Sequence, residues 1–295
     1  MKSEADKSFA TNTTIDQPLP FTREQCEKLF AAVLVHDDIY PNATLPDEIH
    51  LNYSQAQLNQ CYQLCLQLWE LGVQRQTLKA LIFKIYRQHQ LDPAEQEVYK
   101  DIRAKFKHLR FAYVTCGENH TYPNLFSNLT RKMGKFQDAF KNKKYSNMKW
   151  AVNRLRILLT PFVYRFITRE VEHFKASSTE TFQHYIHSEI DFIRLHLKQS
   201  EVTGKEFHET RKVISRQVAL YDNLKVLYPS QYHNKISEYL STINGMMGSF
   251  HDDLIITKFA DPEKYFEDTF PIPAEIKVRL ESYTQKFQLM KSTEH

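Results

Sequence analysis

The octamer "MGKFQDAF" at residues 133–140 returns as "MGSFHDDL" at residues 247–254, 114 residues later, with its Met, Gly, Phe and Asp in register. Only six glycines occur in the 295-residue chain, and two of them sit at the same place in this pair. The letters upstream also pair. "KFKHLRFAYV" (105–114) and "EFHETRKVIS" (206–215) each set a Phe four residues before an Arg, giving Phe106 with Arg110 and Phe207 with Arg211. From that Arg to the octamer glycine the interval is 24 residues in the first copy and 37 in the second. Each copy reads as a long basic helix, a loop ("GENHTYPN" or "LYPSQYHN") and a returning helix that carries the octamer. The chain therefore reads as an internal duplication of a helical hairpin. The octamer glycines, Gly134 and Gly248, are expected to permit a close helix crossing.

Working outward, apolar residues recur at three- and four-residue spacing almost throughout and no alternating strand pattern appears, so the fold class is all-α. Thr22 is a candidate N-cap for a helix over "FTREQCEKLFAAVLVHDD". "SQAQLNQCYQLCLQLWELGV" sets Leu58, Cys61, Tyr62, Cys65, Leu68 and Trp69 on one helix face, with Gly72 near its end. "RQTLKALIFKIYRQH" follows, and Asp92-Pro93 opens the next helix as cap and first helical residue. The expected segments are a disordered tail over 1–20, an N-terminal helical segment over 21–94, a duplicated bundle over 95–262 and a C-terminal helix in 263–295. Four cysteines (Cys26, Cys61, Cys65, Cys116) are too few for a disulfide scaffold and read as buried free thiols.

The net charge of +4 hides an asymmetry. Residues 1–95 carry 8 Lys and Arg against 12 Asp and Glu, residues 96–260 carry 26 against 16, and residues 261–295 carry 5 against 7. A basic excess confined to the middle points to a polyanionic partner there. At about 100° per residue, Ile102, Phe106, Leu109 and Tyr113 share a narrow apolar stripe, with Arg103, Lys107 and Arg110 beside it. In the second copy Phe207, Val213, Ile214, Val218, Leu220 and Tyr221 form the apolar side, and His208, Arg211, Lys212 and Arg216 stand opposite. Further cations lie between the hairpins: Lys149 and Arg156 share a face, and after the restart at Thr160-Pro161, Arg165 and Arg169 pair at i, i+4.

The paired motifs, "FKHLRF" with "MGKFQDAF" and "FHETRK" with "MGSFHDDLII", resemble the conserved histidine α-helical domain, the CHAD family, over residues 95–262. The resemblance implies two four-helix half-bundles related by a pseudo-two-fold axis, with basic helix faces lining a central cavity that binds inorganic polyphosphate without catalysis. Carried over by position, His208, Arg211, Lys212 and Arg216 would line it from one half, and Arg103, Lys107 and Arg110 from the other. The first copy departs from the pattern, with Lys107 at the place of His208 and Gln137 at that of His251, and Ser215 stands where a further basic residue is usual. The chemistry of such a ligand fits independently. A polyphosphate has a charge on every unit and no bases to read, so its site needs Arg forks and Lys point charges at helical spacing.

Other function classes lack their equipment. No CxxC, HExxH, P-loop, GxGxxG or GxSxG is present, so neither metal, cofactor nor enzyme activity is expected. "VHDDIYP" and "FHDDLII" each hold an acidic pair, but neither makes the spaced acid pair of a prenyl-diphosphate enzyme, and such pairs sit at helix ends as caps. Asp138 and Asp252 are expected to hold a basic residue or cap a turn. The competing reading is a module for RNA or protein interaction, with Phe106, Phe111 and Tyr113 flanking the basic ridge as stacking surfaces. The polar N-terminus lacks a signal-peptide core, and no apolar run is long enough to span a membrane. The expected location is the cytoplasm, in company with polyphosphate granules, with no membrane partner.

Overall fold

The computed structural model describes residues 20–287, so all but the last residue of the expected 1–20 tail lies outside it. The expected apolar spacing folds into helices nearly throughout: α1 (Arg23–Leu34), α2 (Gln55–Gly72), α3 (Arg75–Gln88), α4 (Pro93–Cys116), α5 (Asn124–Lys141), α6 (Tyr145–Leu158), α7 (Pro161–Glu172), α8 (Thr179–Leu197), α9 (Gly204–Leu227), α10 (Gln231–Ala260), α11 (Pro262–Glu267) and α12 (Ala274–Gln285). The all-α class is therefore observed. The small exceptions among the described residues are an antiparallel pair of two-residue strands, β1 (Val202–Thr203) with β2 (Thr269–Phe270), and an isolated bridge between Gly117 and Ala176, too short to alternate visibly in the sequence. No helix among the described residues is long and apolar enough to cross a membrane.

The described chain divides into two compact units, which do not follow the segment boundaries expected at residues 94 and 262. The first holds residues 20–30, 62–110 and 122–174, and the second residues 31–61, 111–121 and 175–287, so each contains one octamer. Boundaries between them fall within α1, α2 and α4.

In the first unit Trp69 sits edge-on to both Phe106 and Phe126, with ring centroids 5.5 Å apart in each case. Of the stripe expected on α4, Ile102, Phe106 and Leu109 are buried, whereas Tyr113 is half-buried; Phe136, Leu155 and Ile167 from α5, α6 and α7 are buried too. Burial of each such side chain is worth about 1.5–3 kcal/mol, and edge-on aromatic pairs add about 1 kcal/mol more. The start of α5 has no side-chain cap of its own. The Glu170 carboxylate of α7 accepts from the Leu125 and Phe126 amides there at 3.1 and 2.8 Å. An acid at a helix N-terminus satisfies orphan donors and meets the positive end of the dipole.

In the second unit α9 opens with a capping box. The Thr203 hydroxyl accepts from the Glu206 amide while Glu206 accepts from the Thr203 amide at 2.7 Å. That amide holds the Glu206 carboxyl below its usual range. The apolar side expected for this helix, from Phe207 to Tyr221, is buried. All four cysteines are buried thiols outside any disulfide, and burial pushes the Cys61 thiol up to about 12, which leaves it inert as a nucleophile.

The first acidic pair, Asp37-Asp38, contributes main chain rather than charge. Ser241 of α10 donates to the Val35 and Asp38 carbonyls at 2.8 and 3.0 Å, and Asn244 donates to the His36 carbonyl at 3.0 Å. Gly245 admits this loop, for a Cβ there would stand 2.1 Å from the Asp37 carbonyl oxygen. In an open helix Gly→Ala would gain about 1 kcal/mol of helix propensity. Here the obstacle is backbone, so overpacking of about 1–3 kcal/mol outweighs that gain. Gly245→Ala is expected to lower the urea midpoint of the full chain, and a midpoint raised by the substitution would show that the loop does not hold this place.

Candidate polyanion-binding site

In the second unit the capping box sets where α9 begins, and two turns on it delivers Arg211 against the octamer of α10. The guanidinium lies across Gly248: a Cβ at that glycine would come 2.9 Å from Arg211 Nη2. Arg211 Nη1 donates to His251 Nδ1 at 3.2 Å, which fixes His251 as the tautomer protonated at Nε2. The His208 ring stacks on His251 with centroids 4.5 Å apart and planes 22° apart. One turn before Arg211, Phe207 meets the octamer's Phe250 edge-on at 5.1 Å, and Phe270 of β2 closes the cluster at 5.2 Å from Phe250. An arginine, two imidazoles and a three-ring foundation thus meet around one glycine.

The first unit contains a similar arrangement. A Cβ at Gly134 would come 3.2 Å from Nη2 of Arg103 on α4. One turn before that arginine, Tyr99 meets the octamer's Phe136 at 6.1 Å, and its hydroxyl donates to the Met133 carbonyl at 3.1 Å. The register differs from the expectation: Arg103, not Arg110, occupies the place that Arg211 has in the second unit. Arg110, two turns further along, has its guanidinium 4.5 Å from the centre of the Tyr122 ring. The glycines also act otherwise than expected. What they clear is room for a guanidinium from the neighbouring helix.

The remaining expected site residues fall into different surroundings. Arg216 is only 12% exposed and binds Glu189 of α8, itself 5% exposed, with Nε 2.6 Å from Oε1. Glu189 is held further by the Tyr185 hydroxyl at 2.7 Å and the Gln217 amide at 2.9 Å. A cation neutralised and buried in this way is part of the core, which corrects its expected place on a ligand-facing ridge. Lys212 pairs with Glu209 at 2.6 Å on the same helix. Lys107 is half-buried, Lys149 is exposed on α6, and Arg156 reaches back over the Phe83 ring at 5.5 Å. The structure therefore brings together His208 and Arg211 around His251, and Arg103 with Gly134.

Lys105, which the sequence allows to be simply solvated, is not. It is buried, its amine stands 3.7 Å over the Phe30 ring, and burial lowers its pKa despite nearby Asp101. Its position on the α4 wheel near the apolar stripe was the available signal. Among the described residues no group of three or more His, Cys, Asp or Glu is placed to hold a metal ion. The geometry suits anion binding: half-buried guanidinium groups offer phosphate a fork of donors where the effective dielectric is below that of water. No protein-family model, curated protein or solved structure matches the chain.

The buried pair gives a stability prediction. Removing the acid in Glu189→Ala strands a buried guanidinium and is expected to cost about 3–5 kcal/mol in chemical denaturation. A loss under about 1 kcal/mol, the size of a surface pair, would mean that Arg216 is solvated instead.

Proposed function

We propose that this protein is a non-catalytic binder of linear polyanions, with inorganic polyphosphate as ligand, and that it is a divergent relative of the CHAD family. The observation that carries this reading is the arginine laid over a mid-helix glycine, found once in each unit: Arg103 on Gly134 and Arg211 on Gly248. Each is preceded one turn earlier by an aromatic ring packed on the octamer's phenylalanine. Two copies of one such device favour descent from a duplicated hairpin, and the device itself presents a cation. The charge asymmetry supports the same reading, since the excess falls on the segment that holds both copies. In this proposal Arg103 and Arg211 contact phosphate oxygens, with His208 beside Arg211. Lys107, Arg110, Lys149 and Arg156 add long-range attraction, and Lys212 and Arg216, already matched by carboxylates, add little. A cytoplasmic location at polyphosphate granules belongs to this reading.

The nucleic-acid alternative shares the charge and differs in needing bases. Competition between long-chain polyphosphate, RNA and single-stranded DNA, at equal phosphate concentration and two salt concentrations, separates them. Polyphosphate is expected to displace both nucleic acids, with affinity falling steeply as salt rises, as it does when counterions are released from a polyanion. RNA outcompeting polyphosphate would overturn the assignment. Arg103→Glu combined with Arg211→Glu removes two charge-assisted hydrogen-bonding anchors for phosphate. The double variant is expected to weaken polyphosphate binding by about a hundredfold or more, with helix content by circular dichroism unchanged.

A further inference from the structure

The first unit carries a second basic surface that the polyphosphate reading leaves largely unused. Between residues 124 and 173, which span α5, α6 and α7, there are eleven Lys and Arg against three Asp and Glu. Of those three acids, Glu170 is engaged at the start of α5. Large apolar side chains stand out of this basic field: Trp150 is 54% exposed, Ile157 58%, Phe162 72% and Phe166 44%. Trp150 and Ile157 lie two turns apart on α6. Phe162 and Phe166 lie one turn apart on α7, in edge-on contact at 5.0 Å. The cations are set among them. Lys132 of α5 stands 4.4 Å and Arg154 5.2 Å from the centre of the Trp150 ring, and Arg165 and Arg169 share the exposed face of α7 with the phenylalanines. Among the described residues, no carboxylate lies within 4 Å of a charged nitrogen of Lys132, Arg154, Arg165 or Arg169.

We propose that this face of α6 and α7 docks on the surface of an anionic lipid bilayer, with Phe162, Phe166 and Ile157 entering the headgroup boundary and the surrounding Arg and Lys meeting lipid phosphates. The argument is one of joint complementarity. Phe and Ile have no hydrogen-bonding group with which to meet a polar ligand, and their exposure in water is unfavourable. A membrane surface is a partner that accepts apolar side chains and cations on one face at once. A single-stranded nucleic acid could use the rings, but it offers nothing to Ile157, and it would have to compete with Lys132 and Arg154 for Trp150. Burial, and after it the adjacent Lys135, Arg154 and Arg131, lower the pKa of Lys132. This is adsorption to one leaflet, and it is compatible with the lack of a spanning helix among the described residues.

The test is sedimentation of the full chain with vesicles of phosphatidylcholine alone or with about 30% phosphatidylserine, the kind of anionic surface that attracts basic segments. A second readout is quenching of tryptophan emission by brominated acyl chains. Binding to the anionic vesicles only, quenching that disappears in Trp150→Phe, and a fall of about tenfold or more in partitioning for Phe162→Ser with Phe166→Ser are expected. No binding to anionic vesicles would overturn the proposal. So would binding that ignores the phenylalanine changes and gives no quenching, since that is charge adsorption alone. Binding of single-stranded RNA, but not vesicles, that the same phenylalanine changes abolish would assign the face to nucleic acid instead. The Arg103→Glu, Arg211→Glu variant is expected to bind vesicles normally, so a failure here is separable from a failure of the polyphosphate assignment.

Discussion

The contact between an arginine guanidinium and a side-chain-free turn of the neighbouring helix is the constraint around which both candidate anion sites are arranged. Glycine inside a helix costs about 1 kcal/mol relative to alanine, and a chain with six glycines places two of them at this disadvantage in matching octamers. The reason lies across the interface within each unit. A methyl group at Gly134 or Gly248 would crowd the terminal nitrogens of Arg103 or Arg211. Those nitrogens end a flexible side chain, so the helices themselves could tolerate a methyl. What a methyl would change is the position of the charge. The glycines are thus better explained by where they let a cation rest than by how closely they let two helices approach.

Cations near that contact have been divided between two uses. Arg216 sits five residues beyond Arg211 on α9, yet Glu189 captures it, and Tyr185 and Gln217 complete the shell around that acid. Such an arrangement fixes the packing of α8 against α9 and contributes no net charge. Arg211 has an imidazole, that of His251, among its partners. A neutral acceptor orients a guanidinium without neutralising it, which is what a site for a polyanion requires and what a core ion pair cannot supply.

Much of the fold was legible in the sequence. The run of helices from Thr22 onward follows from apolar spacing, from the Asp92 cap and from starts such as Pro161, because these signals are local. The register of the first copy was not. An aromatic four residues before an arginine occurs twice on α4, as Tyr99 with Arg103 and as Phe106 with Arg110, seven residues apart and so nearly on one face. Matching Phe to Phe selects the second pair, whereas the aromatic contact to Phe136 selects the first. The fate of Arg216 was also hidden, since Glu189 lies 27 residues away on a helix whose other buried residues, His196 apart, are apolar. The same holds for the division into units, which depends on pairings across the chain.

Asp37-Asp38 and the octamer acids illustrate the difference between a motif's letters and its physical role. The repeated His-Asp-Asp triplet invites a reading in terms of carboxylates, but around residues 35–40 it is the carbonyls that meet Ser241 and Asn244. Gly245 receives that loop and Gly248 receives Arg211. Three residues apart on a helix, the two glycines face directions only about 60° apart. One turn of α10 is therefore bare on two adjacent sides, with main chain seated on one and a guanidinium on the other. Because the two directions diverge by only about 60°, the loop main chain and the guanidinium are seated side by side on that turn. Within the second unit, the loop carrying the first acidic pair thus meets α10 through its main chain, on the side of the turn next to the one that Arg211 covers.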